Sequence, residues 1–235
     1  MRLAAPVAVA LVLLAAAPAE ARRAPVVKQL VVTASGRAYA DTVRASSTTV
    51  RVGRRRCRVS QSTPLAALVR SDVPRLSLRD FGRCSRRARD AAGLYVRAIG
   101  RDRERGREGW VYKVGNRQGS AGAADPSGPF GRGRLRGRPR ILWFYCALDE
   151  EGSCQRTLAL RARPEPGGVA VRVLAYDDRG RSVPAAGATV RAGATSAVAD
   201  AGGLARLELP AGRHRLRAEQ EGRIRSFDEV VRVAR

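Results

Sequence analysis

The chain has 235 residues and a net charge of +24, from 45 Lys and Arg against 21 Asp and Glu, with a single histidine. That length excludes more than one large domain or two small ones, and one histidine leaves little from which to build a metal centre. The basic surplus is of a size that attracts polyanions, with an affinity that weakens steeply in salt.

Residues 1–21 read as a secretory signal peptide. Arg2 gives a positive start, Leu3 to Leu14 is apolar apart from Pro6, and Ala19-Glu20-Ala21 is the small-x-small pattern of a cleavage site. The apolar stretch of about a dozen residues falls short of the roughly 20 that a spanning helix needs. A buried N-terminal helix is the alternative. The expected product is secreted, or held at the cell wall by its charge.

Lys28 and Lys113 are the only lysines, so 43 of the 45 basic residues are Arg. A GC-rich coding bias accounts for Arg over Lys but not for basic over acidic. For an exported chain the available polyanions are anionic wall polymers, acidic polysaccharide, phospholipid head groups and extracellular DNA. The plainer alternative is a solvated, self-repelling surface.

Strands are expected at Gln29 to Ala34 and at Thr48 to Val52. Thr63-Pro64-Leu65-Ala66-Ala67-Leu68 predicts a helix, with Thr63 as N-cap and Pro64 in the first turn. Further strands follow at Arg75 to Leu78, Leu94 to Ile99 and Trp110 to Val114, the last entering a turn at Gly115-Asn116. Arg140 to Cys146 is the strongest strand, and alternation places Trp143 and Tyr145 on one face. Cys57, Cys84, Cys146 and Cys154 are an even set in an exported chain, so disulfides are expected. Of the three pairings, Cys57–Cys84 with Cys146–Cys154 is favoured because each closes a local loop.

Pro and Gly gather at 162–167, which predicts a linker between an α+β domain at 27–161 and an all-β domain at 168–235. In the second domain Val169, Val171, Val173 and Ala175 alternate with Ala170, Arg172 and Leu174, and Asp177-Asp178-Arg179-Gly180 makes a turn. The runs at 205–209 and 214–219 alternate likewise, and the whole fits a small β-sandwich.

Two resemblances rest on these residues. The helix at 63–68, then Gly109-Trp110-Val111-Tyr112-Lys113-Val114-Gly115-Asn116, then Gly137 to Tyr145 resemble an uncharacterised bacterial domain family similar to the C-terminal domain of transcobalamin and intrinsic factor. That family implies a β-grasp-like fold over about 45–160. Arg138 stands where the family usually has Asp, and Gly115-Asn116 inverts the usual order. The helical domain that completes a cobalamin site has no counterpart here, so no cofactor is expected. Val183 to Val190, Ala199 to Ala205 and Pro210-Ala211-Gly212 resemble carboxypeptidase-regulatory and bacterial Ig-like sandwiches, or more broadly a prealbumin-like one. Such modules usually serve as spacers or adhesive units.

No enzymatic activity is expected. A hydrolytic triad needs a base beside its nucleophile, and alternation turns His214 inward with Leu216. The carboxylates at Asp149/Glu150/Glu151, Asp177/Asp178 and Asp228/Glu229 lack the mark of a cleft. Arg132, Arg134, Arg136, Arg138 and Arg140 recur at every second position and form the candidate polyanion contact, helped by Arg54, Arg55 and Arg56. Trp110, Tyr112, Trp143 and Tyr145 are either core or an aromatic face that stacks a glycan or small ligand.

Overall fold

The computed structural model describes residues 23–234, so the leader read at 1–21 lies outside the described residues. The chain opens with β1 (Val26–Val32) and β2 (Ala38–Arg44), then β3 (Thr48–Val52) and β4 (Arg55–Val59). Helix α1 (Pro64–Val69) precedes β5 (Leu76–Asp80), β6 (Leu94–Ile99), β7 (Asp102–Arg103), β8 (Gly109–Val114), β9 (Arg117–Gln118) and β10 (Arg140–Cys146). A second unit holds β11 (Thr157–Glu165), β12 (Gly168–Tyr176), β13 (Ser182–Pro184) and β14 (Thr189–Ala192). It ends with β15 (Thr195–Val198), β16 (Leu204–Glu208), β17 (Gly212–Glu219) and β18 (Glu229–Val233). The protein is mostly β.

The first unit is organised by a five-stranded sheet in the order β2-β1-β10-β8-β9. Its central pair, β1 with β10, is parallel, and the other pairs are antiparallel. One face carries Val27, Val31, Ile141, Trp143 and Tyr145 into a core with Leu65 and Leu68 of α1. The Thr63 hydroxyl accepts the Ala66 N–H at 3.3 Å, so a local cap starts the short helix where the sequence indicates. The opposite face carries Leu30, Val32, Leu142 and Phe144 into a smaller cluster with Ile224 and Phe227 of the second unit. β10 is therefore buried on both faces, which is why it reads as an unbroken apolar run.

The second unit is a β-sandwich. β12 pairs with β11 along one side; its other side takes β16 and β13 end to end. The facing sheet runs β15-β14-β17-β18. Val169, Val171, Val173 and Ala175 alternate inward and meet Val190, Leu216, Ala218 and Val231.

The linker expected at 162–167 is instead part of this sandwich. Ala162 to Glu165 complete β11, and Pro166-Gly167 turn it back into β12, with Glu165 opposite Gly168 and Gly167 at φ 74°. Pro164 is tolerated because β11 is an edge strand, where a missing N–H breaks no ladder bond. The passage between units lies at 147–156 instead, within and just after the Cys146–Cys154 loop. Both expected disulfides are formed, with Cα separations of 5.3 Å for Cys57–Cys84 and 5.2 Å for Cys146–Cys154.

Candidate polyanion-binding surface

Arg132, Arg134, Arg136 and Arg138 lie on the long loop between β9 and β10, and all four are exposed. The loop is anchored by Leu135, which is buried and whose N–H donates to the Ser62 carbonyl at 3.0 Å. Gly133 and Gly137 take φ of 73° and 64°, left-handed turns that L side chains rarely adopt, and these reverse the chain between arginines. The result is a groove of about 820 Å³ lined by Arg23, Arg132, Arg134 and Arg136 together with Gln61 and Ser62. Arg134 Nε donates to the Pro126 carbonyl at 2.7 Å. Among the described residues, no carboxylate lies within ion-pairing distance of these four guanidinium groups.

Arg140 does not belong to this set. It starts β10, is half-buried, and its guanidinium grips both carboxylate oxygens of Glu229 in the second unit, one of them at 2.8 Å. The period-two arginine pattern runs from loop into strand, and at that junction the fifth arginine passes from solvent to the contact between units. Arg54, Arg55 and Arg56 are exposed at the tip of the β3–β4 hairpin, with Arg55 3.5 Å from Asp80.

The surplus charge is unevenly shared. Residues 23–156 hold 29 basic and 11 acidic side chains, whereas residues 157–234 hold 13 and 9. The first unit carries the field that a polyanion would meet.

The aromatic platform is core instead. Trp110, Tyr112, Trp143 and Tyr145 are 2%, 7%, 1% and 7% exposed, too little to stack a ligand. Register pairs Trp143 with Tyr112 and Tyr145 with Trp110, and the rings pack on each other at centroid distances of 5.2 and 5.9 Å. Three of the four polar ends are held inside: Trp110 Nε1 donates to the Asp102 carbonyl, Tyr112 to the Ala121 carbonyl, and Tyr145 to the Arg103 carbonyl, whereas the buried Trp143 Nε1 has no partner among the described residues. Burial pushes the Tyr112 phenol well above the usual tyrosine range, aided by the charge of Asp125.

His214 lies on the inward side of β17 with Leu216, half-buried, and its Nε2 sits 2.7 Å from the Pro210 carbonyl. Glu150 and Glu151 are exposed, and the other paired carboxylates are bound to structural partners. Asp149 accepts the Ser153 N–H, Asp177 pairs with Arg181, Asp228 with Arg225, and Glu229 with Arg140.

The role of the two lysines is not marked in the sequence. Both sit on the sheet face turned to the sandwich. Lys28 Nζ donates to the Asp228 carbonyl at 2.7 Å. Lys113 is fully buried; its Nζ reaches the Asp177 carbonyl at 2.9 Å, the Tyr176 carbonyl at 3.2 Å and Thr157 Oγ1 at 3.4 Å, with Asp178 Oδ1 at 3.4 Å. Desolvation pushes its ammonium below the usual lysine range, and the Asp178 carboxylate pulls it part of the way back. The only sequence signal was the rarity of lysine itself. No family model, no curated protein and no solved structure matches the chain.

Proposed function

We propose that the protein is an exported, non-enzymatic module of the cell envelope or extracellular space that binds anionic polymers through the arginine loop of its first domain. The observation that carries this reading is the set Arg132, Arg134, Arg136 and Arg138: all exposed and free of carboxylate partners among the described residues, the first three lining one groove, on the unit holding most of the charge surplus. Guanidinium forks match the paired oxygens of phosphate, sulfate and carboxylate groups. Export is supported by the apolar leader and by four cysteines joined in two disulfides. The strand order with its central parallel pair supports a β-grasp-like first domain, and the second is read as an Ig-like sandwich that serves as a spacer.

Retention on a heparin or wall-polymer column, eluted with salt, tests the binding. Replacing the four arginines with Gln should move elution to markedly lower salt while the thermal transition stays in place. Unchanged elution would reject the loop as the contact.

A further inference from the structure

We infer that a second surface, built by the β3–β4 hairpin and the loop that Cys84 ties to it, binds single-stranded nucleic acid, with Phe81 stacking on a base. This surface is distinct from the 132–138 loop and stands or falls without it.

The hairpin has two faces. Val50, Cys57 and Val59 point into the core, whereas Arg51, Arg56 and Arg58 point to solvent. Register places Arg51 directly opposite Arg56. Like charges at directly opposed positions weaken a strand pair, so this surface holds an arrangement that folding alone disfavours. The disulfide brings the second segment alongside: the Arg58 N–H donates to the Ser85 carbonyl at 2.8 Å, which sets exposed Arg83, Arg86 and Arg87 next to β4.

The acidic residues of this region are already engaged. Asp80 accepts the N–H groups of Gly82 and Cys84, and Asp90 accepts the Ser85 hydroxyl. The surface therefore presents donors with few free acceptors. That suits a polymer of phosphate oxygens better than a hydroxyl-rich glycan, which needs acceptors as well.

Phe81 selects among phosphate polymers. It is 66% exposed, the most exposed of the eleven aromatic residues. It sits between Arg79 and Arg83, with the Arg79 guanidinium 4.6 Å from its ring centroid and the Tyr95 ring 5.9 Å away at a steep angle. An exposed ring set among arginines is the pairing by which single strands are held: cations follow the backbone and an aromatic takes a base. Bases in a duplex are already stacked and cannot use it.

Fluorescence anisotropy of a labelled oligothymidylate, with inorganic polyphosphate and a duplex as competitors, tests the inference. Phe81→Ala should weaken oligothymidylate binding about 5- to 150-fold, the range that one stacked base gives, and leave polyphosphate competition unchanged. Replacing Arg51, Arg56 and Arg58 with Gln should weaken both ligands and lower the salt slope for the single strand by about 2. Arg51→Glu should weaken binding while raising Tm, because it turns the opposed arginines into an ion pair. Equal affinity of Phe81→Ala and the parent for oligothymidylate, or duplex or polyphosphate binding as tight as the single strand, would overturn the inference. The 132–138 loop variant in the same assay separates the two surfaces: loss of heparin retention there, with Phe81-dependent binding intact, upholds both.

Discussion

Replacing Lys113 with Met keeps the aliphatic stem and removes only the ammonium. Two carbonyl oxygens, those of Tyr176 and Asp177, then lose a donor in a fully buried position, and Asp178 loses its countercharge. Breaking a buried pair by deleting one partner costs about 3–5 kcal/mol. Asp178 retains 28% side-chain exposure and can recover water, so the lower end applies, about 3 kcal/mol. For a chain of this size that corresponds to a fall in Tm of roughly 6–12 °C. Because all of these partners lie in the second unit, the variant should also separate the unfolding of the two units. Differential scanning calorimetry reads both effects, as one transition in the parent and two, or a broadened one, in the variant. A Tm within about 2 °C of the parent, with a single sharp transition, would refute the view that Lys113 joins the units.

The disulfides should differ in worth. Cys57–Cys84 spans 27 residues and Cys146–Cys154 spans 8, so loop-closure entropy assigns about 3–4 kcal/mol to the first and about 2–3 kcal/mol to the second; urea unfolding of the paired Cys→Ser variants measures the order, and the reverse order would contradict it. Burial raises the phenols of Tyr95, Tyr112 and Tyr145, so at pH 10 the folded protein should show less tyrosinate absorbance than the unfolded chain. The folded state then holds more protons at these sites, and their contribution to stability is complete below pH 10 and declines as pH rises through the folded values. Lys113 acts oppositely: burial holds its folded value below the usual lysine range, so stability from that site rises as pH climbs from the folded value toward the unfolded one. Urea titrations of the parent and of Lys113→Met across pH 8–11 separate the two slopes, and a parent curve that lacks the alkaline decline would contradict the tyrosine assignment.

Legibility in the sequence followed the range of the interactions. The α1 cap was readable because Thr63, Pro64 and Ala66 are neighbours in the chain, and both disulfides because each closes a local loop. β4 was missed because Arg55-Arg56-Cys57-Arg58-Val59 has little strand character by itself; pairing with β3 and the bond to Cys84 make it one. β2 was missed because none of its residues is fully buried, which leaves no apolar rhythm to detect. Pro164 disguised the end of β11 as a linker, since its tolerance depends on β11 being an edge. The aromatic quartet was readable as strands but not as core, because burial depends on α1 and on loop 119–139 covering it. Lys113 was invisible as an anchor: its partners lie 44 to 65 residues away, and nothing near it in the chain marks a buried ammonium.

The arginine-for-lysine bias has a chemical consequence beyond charge. Guanidinium groups stay protonated and are poor nucleophiles at neutral pH, and the only two lysine amines are held against carbonyls between the units. All four cysteines are oxidised. The exterior is thus strongly cationic yet carries almost no amine or thiol able to attack an aldehyde, a reducing sugar or an activated ester. Such a surface can hold reactive extracellular polymers reversibly without becoming covalently fixed to them.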